Sequence, residues 1–446
     1  MKINIFNLLR ISLLSFTVIL MIFNSLGINV TTFGLIILFL YLGTIFFYRP
    51  LEYANNLMFF IIIVPMLIGG ALIENGTYLF EIDTYSHWNG TFINNLFFSM
   101  FFIELLLINK SKVKNKLVFS VGKIYIEGFI VVSIFVLYIA FLKTGIPLLN
   151  GVHRSVYFSS IVPGYINLLK GRLSFVCLVL GVYYFTYKHK RFLIYFMLIV
   201  LYHILCSIKG GELLIVIYCF YLPSTLYYTV RVPEQNKNKI YRKIQWGLMF
   251  FIVAIFSVVF FNYQTVENYD RDTTALEKIQ KRIEAAGQIW WVINDEHQVS
   301  EQLRWDKFTD NLIEGNDKFD QGMNQLMNEV VPGKILNSWR SSENRGRSLA
   351  NGFPAIGYYY FGYFGVIMLL IITGTIIIII KNDILSSFIS GDILSFLFIG
   401  PILELVIRMV AQGDINLFFE GRTLAIVFAY ITYGLMKRAM IRSKTL

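Results

Sequence analysis

Three arginines lie within eight residues of one another in the C-terminal half of the chain, at Arg340, Arg345 and Arg347. A guanidinium group stays charged at physiological pH and can bind two phosphate oxygens at once. The three side chains, separated by Ser, Asn and Gly, therefore predict binding of a phosphate group. The alternative is that they are flanking charges that anchor the chain to lipid headgroups.

Two neighbouring tryptophans, Trp290 and Trp291, lie at the end of a predicted helix. The helix is indicated by "TALE" (274–277), which fits a capping box, and by apolar residues that follow at three-to-four spacing. Two interpretations remain open. The apolar stripe packs on the membrane surface or on other loops, or the two indoles stack on the flat apolar faces of sugar rings.

The elements that would position these residues are apolar. Hydrophobic residues make up 56% of the 446 residues and charged residues only 15%, with a mean hydropathy of +0.61. Soluble domains carry about 25% charged residues, so one large soluble domain is excluded. Apolar blocks of bilayer-crossing length recur along the chain. We predict an all-α polytopic membrane protein with about 12 transmembrane helices, at residues 7–27, 30–48, 57–73, 91–109, 124–142, 172–187, 192–208, 212–230, 245–263, 355–380, 393–411 and 421–436.

Charge placement predicts the orientation. The breaks at 109–116, 188–191 and 231–243 and the C-terminal tail are rich in Lys and Arg, which collect on the cytoplasmic side. Both termini are therefore predicted to be cytoplasmic. The chain divides into a transmembrane region of about nine helices (1–263), a large external loop (264–353) and a second transmembrane region of about three helices (354–446). An arginine cluster in the external loop runs against the usual charge bias, which favours a functional role.

Two short motifs resemble a known family. The segment "FPAIGYYYFGYFGVIMLL" (353–370), where the chain returns to the membrane, and the turn "SIKGGELL" (207–214) are similar to those of bacterial O-antigen polymerases, the Wzy-type oligosaccharide repeat-unit polymerases. Lys209 stands where the family usually has Arg. The resemblance implies a fold like that of multi-span C-type glycosyltransferases in the bacterial inner membrane, with the active face in the periplasm.

The resemblance also implies the reaction and the partners. Such enzymes transfer a glycan from undecaprenyl pyrophosphate onto a new lipid-linked repeat unit, by inverting transfer without a metal or other cofactor. Membrane lipids and a chain-length regulator protein are expected partners, and nucleic acid is not.

The chemistry of this transfer needs cations at the leaving pyrophosphate and a base near the attacking hydroxyl. We expect the pyrophosphate to be held by Arg154, Lys209, Arg340, Arg345, Arg347 and, as a lesser candidate, Arg422. The candidates for the base are His153, Glu212 and Glu420.

Two other functions fit a similar topology. A lipid-oligosaccharide flippase would also need a cationic path, but within its spans, whereas the arginines here crowd one predicted face. The O-antigen ligase usually has a His followed by small polar residues in its large loop, and His297 in "NDEHQVSEQL" (294–303) fits that pattern poorly. The flippase and the ligase are therefore kept as alternatives.

Overall fold

The computed structural model describes residues 5–108, 123–150, 157–206, 210–231, 237–265, 274–295, 304–310, 321–340, 349 and 351–443. Its α-helices are α1 Ile5–Ser25, α2 Thr31–Tyr48, α3 Pro50–Asn55, α4 Leu57–Ile73, α5 Thr91–Leu107, α6 Lys123–Thr144, α7 Pro147–Asn150, α8 Gly164–Lys170, α9 Leu173–Tyr187, α10 Lys190–Leu205, α11 Gly210–Arg231, α12 Lys237–Thr265, α13 Ala275–Asn294, α14 Trp305–Asp310, α15 Met323–Val330, α16 Gly333–Arg340, α17 Ala355–Ser390, α18 Phe396–Gln412 and α19 Gly421–Ser443. Short strands β1 Tyr78–Leu79 and β2 Thr84–Tyr85 pair antiparallel in a hairpin, so the predicted all-α class holds apart from these few residues.

Each predicted span coincides with a helix, but in the described part of the chain fewer helices than predicted are long and apolar enough to cross a membrane. Among the described residues six qualify, and a seventh if the bent pair α8 and α9 counts as one span. Two apolar helices, α4 and α5, have 17 residues each. At about 1.5 Å per residue, a helix of that size spans roughly 26 Å, which is shorter than a hydrocarbon core of about 30 Å.

The chain forms two compact units, neither of which is continuous in sequence. The first contains residues 1–108, 233–376 and 408–419, and the second contains 109–232, 377–407 and 420–446. The three consecutive regions predicted from the sequence describe membrane topology and remain a prediction.

In the first unit, α4 and α13 cross with their backbones in contact. A Cβ atom added to Gly69 would lie 1.9 Å from the carbonyl oxygen of Ile283, and one added to Gly287 would lie 2.1 Å from the nitrogen of Gly70. Only glycines allow such an approach. The predicted capping box of α13 is confirmed, since the side chain of Thr274 accepts the N–H of Glu277. Part of the predicted external loop is thus packed tightly against an apolar helix.

The return motif contains a sharp break in α17. Phe361 and Gly362 leave the helical conformation, and Gly362 has φ +61°, which favours glycine. The chain folds back so closely that a Cβ on Gly357 would lie 2.7 Å from the carbonyl oxygen of Gly365. The short helical piece before the break is therefore a separate element that can present its side chains to the preceding loop.

In the second unit, α8 and α9 are separated by a break at Gly171 and Arg172 and differ in direction by 41°. Beyond the break, α9 packs along α11. A Cβ on Gly181 of α9 would lie 2.0 Å from the carbonyl oxygen of Phe220 in α11, so these helices also touch through their backbones. The break is held beside the start of α11 by this packing.

Candidate functional site

Five of the predicted site residues lie outside the described part of the chain: His153, Arg154, Lys209, Arg345 and Arg347. The described ones fall into both units. Glu212, Glu420 and Arg422 belong to the second unit, and Arg340, Trp290 and Trp291 belong to the first.

The break between α8 and α9 brings together side chains that are far apart in sequence. The Nζ atom of Lys170, at the end of α8, lies 2.9 Å from Oε2 of Glu212 in the first turn of α11. The same ammonium lies 4.1 Å from the centre of the Phe158 ring. The Lys170 side chain is 20% exposed and that of Glu212 is 33% exposed, so both can still reach a ligand.

Arg422 reaches the same break from the start of α19. A Cβ on Gly171 would lie 3.7 Å from Nη2 of Arg422, so the guanidinium lies against the backbone of the break. Arg422 is exposed, and no carboxylate of a described residue pairs with it. Glu420 is also exposed, and its carbonyl oxygen accepts the N–H groups of Thr423 and Leu424 at the start of α19.

We name Lys170, Glu212 and Arg422 the break cluster. Its two cations and one carboxylate together carry a net positive charge, so the cluster can bind an anion. The helix break also places these side chains beside backbone N–H and C=O groups that are not all hydrogen-bonded within a helix. Broken helices are the common way in which membrane proteins present polar groups to a substrate. Arg172, the residue before α9, adds a further cation within two residues of Lys170.

A second cluster forms in the first unit around Glu329 of α15. Its Oε2 atom lies 2.7 Å from Nη1 of Arg304, its Oε1 atom accepts the hydroxyl of Tyr359 at 2.7 Å, and Lys307 donates to the same oxygen. The guanidinium of Arg304 also lies 4.2 Å from the centre of the Tyr359 ring. We name Arg304, Lys307, Glu329 and Tyr359 the Glu329 cluster.

The break in α17 positions this cluster. Tyr359 lies in the short helical piece before Phe361, and the break leaves the carbonyl oxygen of Tyr360 available to the N–H of Arg304 at 3.0 Å. The ring of Phe361 lies 4.5 Å from that of Trp305, centre to centre. The return motif therefore holds α14 in place through both a hydrogen bond and a ring contact.

Electrostatics keep Glu329 ionised. Burial raises the pKa of its carboxyl, but the hydrogen bonds from Lys307 and Tyr359 and the charge of Arg304 outweigh burial. The pKa of Glu329 therefore lies below its ordinary value of 4.5. At neutral pH this carboxylate offsets part of the positive charge of its two partners.

Arg340 contacts Asn328, the residue that precedes Glu329 in the chain. It is the last residue of α16, and its guanidinium donates to the side-chain oxygen of Asn328. The predicted phosphate ligand Arg340 is thus linked to α15.

The two tryptophans are buried in the first unit. Trp290 is 1% exposed and Trp291 is 2% exposed. Trp291 donates its indole N–H to the carbonyl oxygen of His87 at 2.8 Å, and Trp290 stacks with Phe98. Because neither ring presents an open face, the structure favours the packing interpretation over sugar stacking.

Several residues of the two clusters were not singled out from the sequence: Lys170, Arg304, Lys307, Glu329 and Tyr359. Residues 264–330 hold 14 acidic and 7 basic residues, so the cations of the Glu329 cluster were hidden in an acidic stretch. Lys170 carried one detectable signal, because "LLKGR" (168–172) places two cations around a glycine inside an apolar run. Among the described residues, no group of three His, Cys, Asp or Glu side chains could hold a metal ion.

Residues 316–427 match a protein family of unknown function, DUF6418. This match covers about a quarter of the chain and includes Glu329, Tyr359 and Arg422, whereas Lys170 and Glu212 lie outside it. No curated protein and no solved structure matches the chain.

Proposed function

We propose that the protein is a membrane glycosyltransferase that polymerises oligosaccharide repeat units carried on undecaprenyl pyrophosphate. The observation that supports this most directly is the break cluster, in which Lys170, Glu212 and Arg422 meet at an interrupted apolar helix. A lipid pyrophosphate has an apolar tail and an anionic head, so its site needs cations beside apolar helices. The resemblance of the return motif and of residues 207–214 to O-antigen polymerases supplies the reaction class.

In this proposal the break cluster binds the pyrophosphate of the donor. Arg422 contacts phosphate oxygens with its guanidinium fork, and Lys170 supplies a point charge. A hydroxyl of the acceptor sugar attacks the anomeric carbon, and the bond from that carbon to the pyrophosphate oxygen breaks. The two cations stabilise the negative charge that grows on the leaving oxygen.

Glu212 is the proposed general base. In the structure its carboxylate is paired with Lys170. A bound pyrophosphate competes for this ammonium, which frees the carboxylate to accept the proton of the attacking hydroxyl. Binding of the donor thus prepares the base. His153, Arg154, Lys209, Arg345 and Arg347, which lie outside the described residues, are proposed to complete the site.

The membrane arrangement belongs to the same proposal. Twelve helices would span the inner membrane, with both termini in the cytoplasm and residues 264–353 in the periplasm. The helices shorter than the hydrocarbon core would be accommodated by local thinning of the bilayer or by packing within the protein. A chain-length regulator is a proposed partner.

The test is the length distribution of the surface glycan in cells that carry the double variant Lys170→Gln/Arg422→Gln. We expect single repeat units in place of long chains, because both proposed phosphate contacts are lost. The control variant is Lys188→Gln/Lys190→Gln, which removes two exposed lysines elsewhere and should leave long chains. If the variant Lys170→Gln/Arg422→Gln is present in the membrane at the normal level and the cells still make long glycan chains, the proposal is overturned.

The same experiment distinguishes the alternatives. Inactivation of a flippase leaves no repeat units exposed on the outer face, and inactivation of a ligase leaves long chains that remain on the carrier lipid. The first pattern would show that the protein is a flippase, and the second that it is a ligase.

A further inference from the structure

The start of α12 carries a basic cavity that shares no residue with either cluster. A cavity of about 560 Å³ is lined by Asn238, Lys239, Arg242, Lys243 and Trp246. Its three cations and the tryptophan occupy positions i, i+3, i+4 and i+7, so they share one face of the helix. All five lining residues come from this helix, so the cavity is an open basic surface and not an enclosed site.

Two contacts fix the height of the cavity relative to the membrane. The side-chain amide of Gln245 donates to the carbonyl oxygens of Phe46 and Phe47, at 3.3 and 3.4 Å. These carbonyls belong to the last turn of α2, one of the helices able to span a membrane. The apolar run of α2 ends at Tyr48, so the cavity lies at the level where hydrocarbon gives way to headgroups.

The side chains at this level match an anionic headgroup. Trp246 is 72% exposed, and an exposed indole beside the end of an apolar helix is typical of the membrane interface. Among the described residues, no carboxylate pairs with Lys239, Arg242 or Lys243. The N-terminal end of a helix also carries partial positive charge, so cations there are unfavourable unless an anion neutralises them.

We propose that this cavity binds the headgroup of an anionic phospholipid. The phosphate would contact Arg242 and Lys243, the indole of Trp246 would lie at the glycerol level, and the acyl chains would lie along the apolar part of α12. A phospholipid fits better than a free anion, because the cavity opens at the end of an apolar helix surface on which Phe250 is 77% exposed. The inference does not depend on the proposed glycosyl transfer.

The experiment compares lipid binding by detergent-purified full-length variants in native mass spectrometry. Phosphatidylglycerol and phosphatidylcholine are added in parallel to the wild type, to Arg242→Gln/Lys243→Gln and to the control Lys188→Gln/Lys190→Gln. The control removes the same charge from exposed residues at another basic break. Each cation near an anionic lipid contributes about 1 kcal/mol, so the first variant should bind phosphatidylglycerol roughly thirtyfold more weakly. The control variant should bind it as the wild type does.

The outcomes are decisive in both directions. Selective loss of phosphatidylglycerol binding in Arg242→Gln/Lys243→Gln, with phosphatidylcholine unaffected, supports the site. An equal loss in the control variant would show a general charge effect and overturn it. Displacement of the lipid by millimolar inorganic phosphate, to the same extent whatever the length of the acyl chains, would also overturn it. The ligand would then be a free anion. A melting temperature of Arg242→Gln/Lys243→Gln equal to that of the wild type shows that the fold of this variant is intact.

Discussion

Glu329 and Glu212 are both carboxylates that pair with cations, but their surroundings differ. Glu329 accepts hydrogen bonds from two cations and a tyrosine hydroxyl on two other segments of the chain, and the Arg304 side chain is only 8% exposed. Glu212 pairs with Lys170 at a helix break beside the exposed Arg422. Both clusters contain two cations and one carboxylate. In the Glu329 cluster both cations contact the carboxylate, whereas in the break cluster only Lys170 does, and the exposed Arg422 can contact a ligand.

This difference suggests that the Glu329 cluster stabilises the fold, whereas the break cluster binds a ligand. A cluster whose groups bond one another links segments together, and loss of its carboxylate leaves cations without compensation. A cluster with an exposed arginine contributes little to folding, since exposed charges are well hydrated. Variants of the two clusters should therefore affect different measurements.

The largest expected effect comes from reversal of the ion pair in the break cluster. The double variant Lys170→Glu/Glu212→Lys restores an ion pair but moves the cation from α8 to α11. We expect the proposed glycan transfer to fall by at least about 10²–10³-fold, because the change displaces both a preorganised cation and the proposed base Glu212, while the melting temperature stays close to that of the wild type. Transfer is measured with purified protein and a lipid-linked repeat unit. Transfer at the wild-type rate would show that neither the position of the cation nor that of the proposed base matters.

The next effect is the loss of stability in Glu329→Ala. Because this change leaves Arg304 and Lys307 without their carboxylate, the free energy of unfolding should fall by about 2 kcal/mol, a value reduced from the fully buried case because the side chain is 25% exposed. Unfolding in detergent by denaturant measures it. The matched control is Asp306→Ala on exposed α14, which should change the free energy by less than about 0.5 kcal/mol. Equal effects of the two changes would contradict a structural role for Glu329.

A smaller effect is expected for Tyr359→Phe. The change removes the hydroxyl that donates to Glu329 and retains the ring under Arg304, so the free energy of unfolding should fall by about 1 kcal/mol. The same denaturation experiment measures it, with Tyr85→Phe as control because Tyr85 is 74% exposed. Should Tyr359→Phe instead abolish transfer without loss of stability, the hydroxyl would belong to the active site.

The smallest effect is a dependence of stability on pH. The pKa of Glu329 in the folded protein lies below 4.5, so its contribution is fully present above that pH and is lost as the pH falls through the lower folded value. Because the side chain is partly exposed, we expect the wild type to lose less than about 1 kcal/mol relative to Glu329→Gln between pH 5 and pH 3. Parallel pH profiles of the two proteins would show that Glu329 is not responsible.

The positions of the helices were predictable from the sequence, and their grouping was not. Apolar blocks and the capping box at Thr274 are local signals, and the helices lie where those signals placed them. The packing of α13 on α4 depends on Gly69 and Gly287, which are common residues with no visible pairing signal in one sequence. The role of the Trp290 and Trp291 indoles was ambiguous for the same reason, because an apolar stripe on a helix does not show whether it packs on protein, on lipid or on a sugar.

The candidate sites show the same limit. In the sequence Glu212 is a charged turn residue and Arg422 a cation at the start of a span, and the structure brings both to the break at Gly171. Lys170 completes that cluster, but a lone lysine beside a glycine is a weak signal until the bend in the helix is known. The Glu329 cluster depends on the break at Phe361 and Gly362, which frees a carbonyl for Arg304. Sequence alone does not show which donor meets that carbonyl.

The contact between α4 and α13 has a consequence for biosynthesis. Gly69 and Ile283 are more than 200 residues apart in the chain. At a translation rate of about 5–20 residues per second, α4 leaves the ribosome roughly 10–40 s before its partner exists. During that interval its glycine face has to be covered by lipid, by another helix or by the insertion machinery. A ribosome that stalls between the two helices would thus release a chain whose first half cannot complete its own packing.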